Sequence, residues 1–426
     1  GTPMMSINRP LMKQIYNPNL KTNRTHIKTA APRTVFPIIF VGNSIWAALT
    51  LCILAIQFYP TSVLAQNCAT SGTHNMNSNE NTFYPGTQAS VPAGSTSITV
   101  GGVPAGYGTS AIANGDIVLV IQMQGAQINL PADPTVSLYG GNTVGAGSGF
   151  LTTNLLAGNM EFAVATNAVP LTGGTLNIST GLTYSYAYSA YGTDGQYTYQ
   201  VIRVPSYYNI ILTGSFNTAL WNGSVGGVSV VSAVNQLNFN GQTIDASGAG
   251  FRGGAGRKLP GKNGLSQTDY YTLSTIKANG SKAEGIAGTP RYINFKDVLV
   301  NTSVEGYPGG SYARGGPGNA GGGGTDSDPD NNDQNSGGGG GGNGGSGGVG
   351  GNGWYSFGYT GGRGGFKFAT TGPNVSYYSP SRLIMGGGGG AGSTNDGTGD
   401  YSNGFSSSGA PGGGIVIINA LTISGS

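Results

Sequence analysis

Histidine, cysteine and charge are scarce in this sequence, and each scarcity removes a class of chemistry. The 426 residues hold two histidines, His26 and His74, and two cysteines, Cys52 and Cys68. A Ser-His-Asp triad, a Cys-His pair or a zinc site built from His and Cys needs several such side chains in one place, so these sites are close to excluded. Charged residues make up 8% of the chain, against roughly a quarter in ordinary soluble domains. That is not the surface of a typical soluble enzyme. Helical patterning is missing too: no stretch beyond residue 65 carries a sustained 3.6-residue apolar repeat with caps, which predicts an all-β protein.

What is present begins with an export signal. Residues 1–33 carry Arg9, Lys13, Lys21, Arg24, Lys28 and Arg33 and no acidic residue. Residues 34–65 carry no charge and run through Phe36, Ile38, Phe40, Leu49, Leu51 and Ile53 before Pro60. A basic leader followed by an apolar run and Val63-Leu64-Ala65 predicts a signal peptide cleaved after Ala65. The run approaches the length that spans a bilayer, which leaves an uncleaved anchor as the alternative. Membrane contact is expected only through this segment, during export. All 16 acidic residues lie after Ala65, with 13 of the 19 basic ones, so the exported part is slightly acidic and offers no basic footprint for nucleic acid. Cys68 is its single thiol; an unpaired residue near a mobile N-terminus and a partner for another chain both remain open. Both ends of the sequence suggest a piece of a longer protein.

Residues 66–94, rich in Asn, Ser and Thr, read as a flexible tether. Residues 95–247 form a β-rich domain of short Val, Ile, Tyr and Thr runs separated by Gly, Pro and Asn. Within it Ile117-Val118-Leu119-Val120-Ile121 is apolar on both faces and predicts a fully buried strand. Gly226-Gly227-Val228-Ser229-Val230-Val231-Ser232-Ala233, followed by Leu237-Asn238-Phe239-Asn240-Gly241, reappears as Gly413-Gly414-Ile415-Val416-Ile417-Ile418-Asn419-Ala420 followed by Leu421-Thr422-Ile423-Ser424-Gly425. An apolar strand, a corner and an alternating strand ending in glycine are the parts of one coil of a parallel β-solenoid. Residues 413–426 then read as a returning coil and residues 248–412 as a glycine-rich insertion. A β-sandwich with a glycine-rich region is the structural alternative.

Of 80 glycines, 43 follow Asn301, and from Gly341 they recur as Gly-Gly-X triplets. A three-residue period matches the polyproline II helix, whose bare glycine edges let strands approach closely and pack as a hydrogen-bonded bundle. Trp354, Tyr355, Phe357, Tyr359, Phe366 and Phe368 favour order here over a disordered low-complexity loop.

Candidate chemistry is sparse. Asp326, Asp328, Asp330 and Asp333 could wrap a calcium ion, although they lack the turn glycine and the closing glutamate of a helix-loop-helix site. A solvated acidic loop competes with that reading, and no other cofactor is expected. Gly344-Gly345-Ser346-Gly347-Gly348 matches the nucleophile-elbow spacing only through its glycine content. The run Gly256–Gly261 with Lys262 lacks the Ser or Thr of a phosphate loop. A polysaccharide lyase or hydrolase would draw on Glu161, Asp194, Asp245 and Arg203.

With its paired Gly-Gly-apolar-Ala units and glycine-rich interlude, the chain resembles large exported bacterial surface proteins of the adhesin type. Its glycine tract also looks like the glycine-rich bundles of some phage tail-tip adhesins and receptor ectodomains. The resemblance implies a non-catalytic, extracellular or cell-surface protein acting in adhesion or scaffolding, partnered by cell-surface glycans, proteins or copies of itself. A carbohydrate-active β-helix enzyme is the alternative.

Overall fold

The computed structural model describes residues 71–425, apart from 142–145, 193–194, 257–267, 277–278, 327–334, 354–358, 369–381 and 394–406. The expected export signal and Cys68 lie outside the described residues. No helix occurs among the described residues: the protein is all-β, built from several mostly small sheets. None of them closes into a solenoid coil.

The predicted buried strand is the centre of the first sheet. Ile117–Gly125 lies between Gly195–Val204 and Met160–Val164, antiparallel to both, and Thr82–Pro85 adds to the outer side of Gly195–Val204. Because strand side chains alternate, its two faces feed two cores. Leu119, Ile121 and Met123 join a cluster with Trp221, Val228 and Phe251, while Val118 and Val120 pack with Tyr84, Ile98 and Leu176. This explains why no polar alternation marks the sequence there.

A second sheet is wholly parallel, in the order Thr73–Met76, Ser206–Leu212, Val228–Asn238, Ile415–Asn419. The two repeat units are neighbours in it: Val228 to Ser232 pair in register with Ile415 to Asn419, and Gln236 to Asn238 with Thr422 to Ser424. Phe216–Asn217 and Ile244–Asp245 continue the parallel stacking past a corner. Ile210, Leu212, Val231 and Leu237 fill the space between.

Two expectations need correction. The stretch 66–94 is not a tether from Thr73 onward, since it supplies Thr73–Met76 and Thr82–Pro85 and buries Phe83, Tyr84 and Val91. Several of its polar residues face outward, and Asn81 bonds to a distant strand through its side chain with the Val230 N–H and C=O. The solenoid expectation is met only in its coarser part: the described chain is all-β and the two repeat units lie side by side in parallel, but no sheet among the described residues closes into a coil.

A third kind of packing, beside the antiparallel sheet and the parallel stack, is the glycine region. The N–H groups of Gly386, Gly389 and Gly392 donate to the carbonyls of Gly413, Ala410 and Ser407 at 2.8–2.9 Å. Those of Gly387, Gly390 and Ser393 donate to Gly342, Gly339 and Ser336 at 2.8–3.0 Å, and those of Gly388 and Ala391 to Glu284 and Ser281 at 2.8–3.1 Å. Consecutive amides thus address three different neighbouring strands in turn, as a three-residue helical period requires. Residues 321–323 repeat the arrangement, donating to Gly388, Arg363 and Ala313. The period of three seen in the sequence is therefore an ordered bundle of extended strands, and glycine is what the spacing demands. A Cβ at Gly365 or Gly387 would sit 1.9 Å from the Asn319 carbonyl oxygen, a contact with backbone that nothing can relieve.

Candidate functional site

The residues singled out from sequence are not brought together. Asp326 is fully buried at the end of a bundle strand, whereas Asp328, Asp330 and Asp333 lie outside the described residues. Among the described residues no three His, Cys, Asp or Glu side chains gather as a metal site. Glu161 accepts hydrogen bonds from the Thr183 and Tyr184 amides and the Tyr186 hydroxyl, which pins a loop. Asp245 caps its own turn through the Ser247 amide, and the Arg203 Nε donates to Asp116 Oδ2 at 2.7 Å. Asp194 and most of the phosphate-loop match lie outside the described residues. Ser346 is exposed on an outer strand of the bundle, and no helix follows it among the described residues.

One cluster that the sequence did not reveal surrounds His74. Its ring stacks on Tyr207 at 3.7 Å with 5° between the planes. His74 Nε2 lies 2.7 Å from Glu80 Oε1, and the Tyr207 hydroxyl donates to Glu80 Oε2 at 2.6 Å. Burial and the Glu80 carboxylate together push the Tyr207 phenol up from its ordinary value. The cleft beside them, about 490 Å³, is polar, with Asn79, Asn81, Thr109, Ser110 and Arg203 in its lining. Among the described residues Glu80 is the one carboxylate lining it, and it is held by two partners. Glycosidic cleavage draws on two carboxylates with separate roles, and this cleft offers one.

A smaller cavity of about 210 Å³ lies where the glycine bundle meets a hairpin. Tyr292–Phe295 and Val298–Asn301 form that hairpin, with Phe295 paired to Val298. Its two-residue turn, Lys296–Asp297, has φ of 53° and 56°. Such turns normally carry Asn-Gly or Asp-Gly, and each non-glycine residue held in the left-handed region costs about 1–2 kcal/mol. Trp221 forms an opposite wall, its backbone N–H donating to the Ala249 carbonyl and its ring set edge-on to Phe251 at 6.1 Å. Leu220, Phe295 and Pro411 complete the apolar lining.

Two residues of the lining each bury a polar atom away from the open space: the Trp221 indole Nε1 and the Asn294 Oδ1 have no hydrogen-bond partner among the described residues. Leaving a buried donor or acceptor unpaired costs about 1–3 kcal/mol. Arg252, which also lines the cavity, is by contrast fully engaged. Its Nε and Nη2 each donate to the Glu284 carboxylate at 2.8 Å, and its Nη1 to the Asn222 carbonyl at 2.8 Å. Burial raises the Glu284 carboxyl, but the Arg252 guanidinium, with hydrogen bonds from Thr289 and Arg252, outweighs it and holds the group below its usual range. Nothing in the sequence announces this site, because Trp221, Asn294 and Pro411 are distant along the chain and individually unremarkable. No family model, no curated protein and no solved structure matches the chain.

Proposed function

We propose that this chain is an exported, non-catalytic surface or matrix protein that serves as a rigid scaffold in adhesion. The observation that carries the reading is the glycine bundle, whose interior ionisable groups hold strands together and are closed to solvent. Glu284 is fully buried against Arg252. Lys282 is equally buried, and its ammonium donates to the carbonyls of Tyr270, Ala313 and Gly315. Burial pushes the Lys282 pKa well below the ordinary value. The three acceptors oppose that shift, because only the ammonium form has three protons to give. Charges placed this way lock neighbouring strands together and make a stiff body. The basic leader and apolar segment support export, and the parallel stack of repeat units supports a structural role of the solenoid type. Calcium at the Asp326 to Asp333 run belongs to the same reading as an accessory ion.

A carbohydrate-active enzyme is the second reading, favoured by the His74–Glu80–Tyr207 cleft. One experiment separates the two. The full chain is expressed in a bacterial host, its mature N-terminus is sequenced, and the medium protein is tested for cell and glycan retention and for release of reducing or unsaturated sugar ends. A mature end at Gln66 with retention and no sugar release is the expected result. Cytosolic retention sinks export, and catalytic release of sugar ends sinks the non-catalytic assignment.

A further inference from the structure

We propose that the outer edge of the parallel stack, formed by Ile415–Asn419 and Thr422–Ser424, is a self-association surface that pairs antiparallel with the same edge of a second copy of this chain. The proposal goes beyond the scaffold reading and rests on neither export nor adhesion.

Topology leaves this edge open. Both strands pair with Val228–Asn238 on one side, and among the described residues neither pairs with anything on the other. Grooves open at its two ends, one of about 400 Å³ beside Asn419 and one of about 500 Å³ beside Ile423 and Ser424. The register shows what the edge lacks. Ile210, Leu237 and Ile423 stand in one column across neighbouring strands; the first two are fully buried, whereas Ile423 is 57% exposed. Leu421, just before it, is 77% exposed. A buried apolar column that ends on an exposed member is a template for one more strand.

Composition says which strand. Exposed edges are normally blunted by charge, proline or a bulge. Residues 412–426 carry no charge and no proline, and neither segment pairs with Val228–Asn238 through a bulge. The opposite edge of the same sheet, Thr73–Met76, is guarded, since His74 Nε2 lies 2.7 Å from Glu80 Oε1 and a carboxylate therefore stands beside that strand. Head-to-tail stacking would set this charge against the apolar edge. Two apolar edges meeting across a two-fold axis avoid it, and such a contact closes at the dimer.

The backbone fixes the register. The Ile415 N–H donates inward, to the Gly227 carbonyl at 2.8 Å. Backbone groups alternate sides along a strand, so Ile417 and Asn419 also address Val228–Asn238, while the N–H and C=O of Val416 and Ile418 point outward. Directly opposed residues of an antiparallel pair can exchange both bonds. The register that engages both outward residues sets Val416 against Ile418 of the second copy, with the axis at Ile417. By the same count Leu421 approaches the second copy's Gly413, where a Cβ would meet nothing within 4 Å and a leucine finds room.

Sedimentation velocity of the full chain over a concentration series is expected to show a monomer–dimer equilibrium. Val416→Pro removes an outward N–H at a place where edge strands tolerate proline. Its dimer should weaken about tenfold or more, while its melting temperature, taken at the dilute end where the wild type is monomeric, stays close to the wild-type value. Ile417→Pro removes an inward N–H and should lower that melting temperature, so the side of the strand and not proline itself decides. Should Val416→Pro fail to fold, Leu421→Lys replaces it, with the same weakening of the dimer and an unchanged melting temperature. A monomer at every concentration overturns the proposal, because something other than a second copy then closes the edge. Open-ended polymers overturn it in favour of head-to-tail pairing with Thr73–Met76, and folded variants that dimerise like the wild type overturn it as well. These readouts report association alone, so their failure leaves the scaffold reading to its own test.

Discussion

The antiparallel sheet and the glycine bundle solve the same burial problem in opposite ways. In the sheet, side chains fill the interior: Leu119 and Val120 are fully buried on opposite faces of one strand. In the bundle, backbone packs on backbone, and the volume where side chains would go is occupied by carbonyl oxygens of the next strand. A side-chain core absorbs change by repacking, so Leu119→Ala should cost the usual 2–5 kcal/mol or about that. A backbone core has nothing to repack. Gly365→Ala places its Cβ 1.9 Å from the Asn319 oxygen and 2.7 Å from the Gly342 nitrogen. Its expected cost exceeds about 3 kcal/mol and is read as loss of amide-exchange protection across residues 336–343 and 386–392. Retained amide-exchange protection across those segments in Gly365→Ala would break the contrast.

Charge is used differently as well. Sheet-side ion pairs such as Arg203–Asp116 sit partly exposed, with about a fifth of each side chain open to solvent. Lys282, Glu284 and Arg252 are sealed within the bundle, and Glu284→Ala would strand Arg252 without its partner, at a cost of about 3–5 kcal/mol. Since the folded pKa of Glu284 lies below its unfolded one, its stabilising contribution is present above the unfolded value and is lost as pH falls through the folded value. Wild type should therefore lose more stability in acid than Glu284→Gln, measured by melting across pH. Indistinguishable slopes in acid would remove this assignment.

Asp269, next to the bundle, carries the opposite sign. Burial first, and the Asp133 carboxylate second, raise its pKa from 3.8 to about 6, against the pull of Arg314. A raised carboxyl pKa means that the folded state binds the extra proton, so stability falls as pH climbs from about 4 to about 6. Asp269→Asn should raise the melting temperature at pH 7 to 8 and change it little near pH 4. Parallel pH curves for the two proteins would contradict it.

How much of this was legible depended on whether the signal was periodic. The strand around Leu119 announced itself through an unbroken apolar run, and the pairing of Val228 with Ile415 through the repeated Gly-Gly-apolar units. The bundle showed in the Gly-Gly-X triplets, and Phe368 does pack into a core beside Phe150, at 5.4 Å between ring centroids. What stayed hidden was aperiodic. Thr73–Met76 looked like tether because its polar residues pair with Asn209 to Leu212, more than 130 positions away. Nothing in the sequence pattern marks Arg252, Lys282 and Glu284 as interior residues. They are buried because glycine strands supply backbone carbonyls and amides but no side chains, so isolated long polar residues fill the gaps. The Trp221 cavity depends on three-dimensional proximity alone, with no spacing to betray it.

The smallest expected effect is also the most local test of the two packing modes, since it sets neighbouring glycines against each other. At Gly347 a Cβ would lie 1.9 Å from the Gly340 oxygen, whereas at Gly348 it would meet nothing within 4 Å. Neither residue has a positive φ, so conformation alone does not demand glycine at either. One turns toward the bundle and the other toward solvent. Gly348→Ala should thus be neutral or stabilising by about 0.4–1 kcal/mol, through the reduced freedom of the unfolded chain. Gly347→Ala should destabilise like any interior position. Paired thermal melts of the two single variants read the difference directly, and similar shifts for both would mean that the outer strand is not held in the register described.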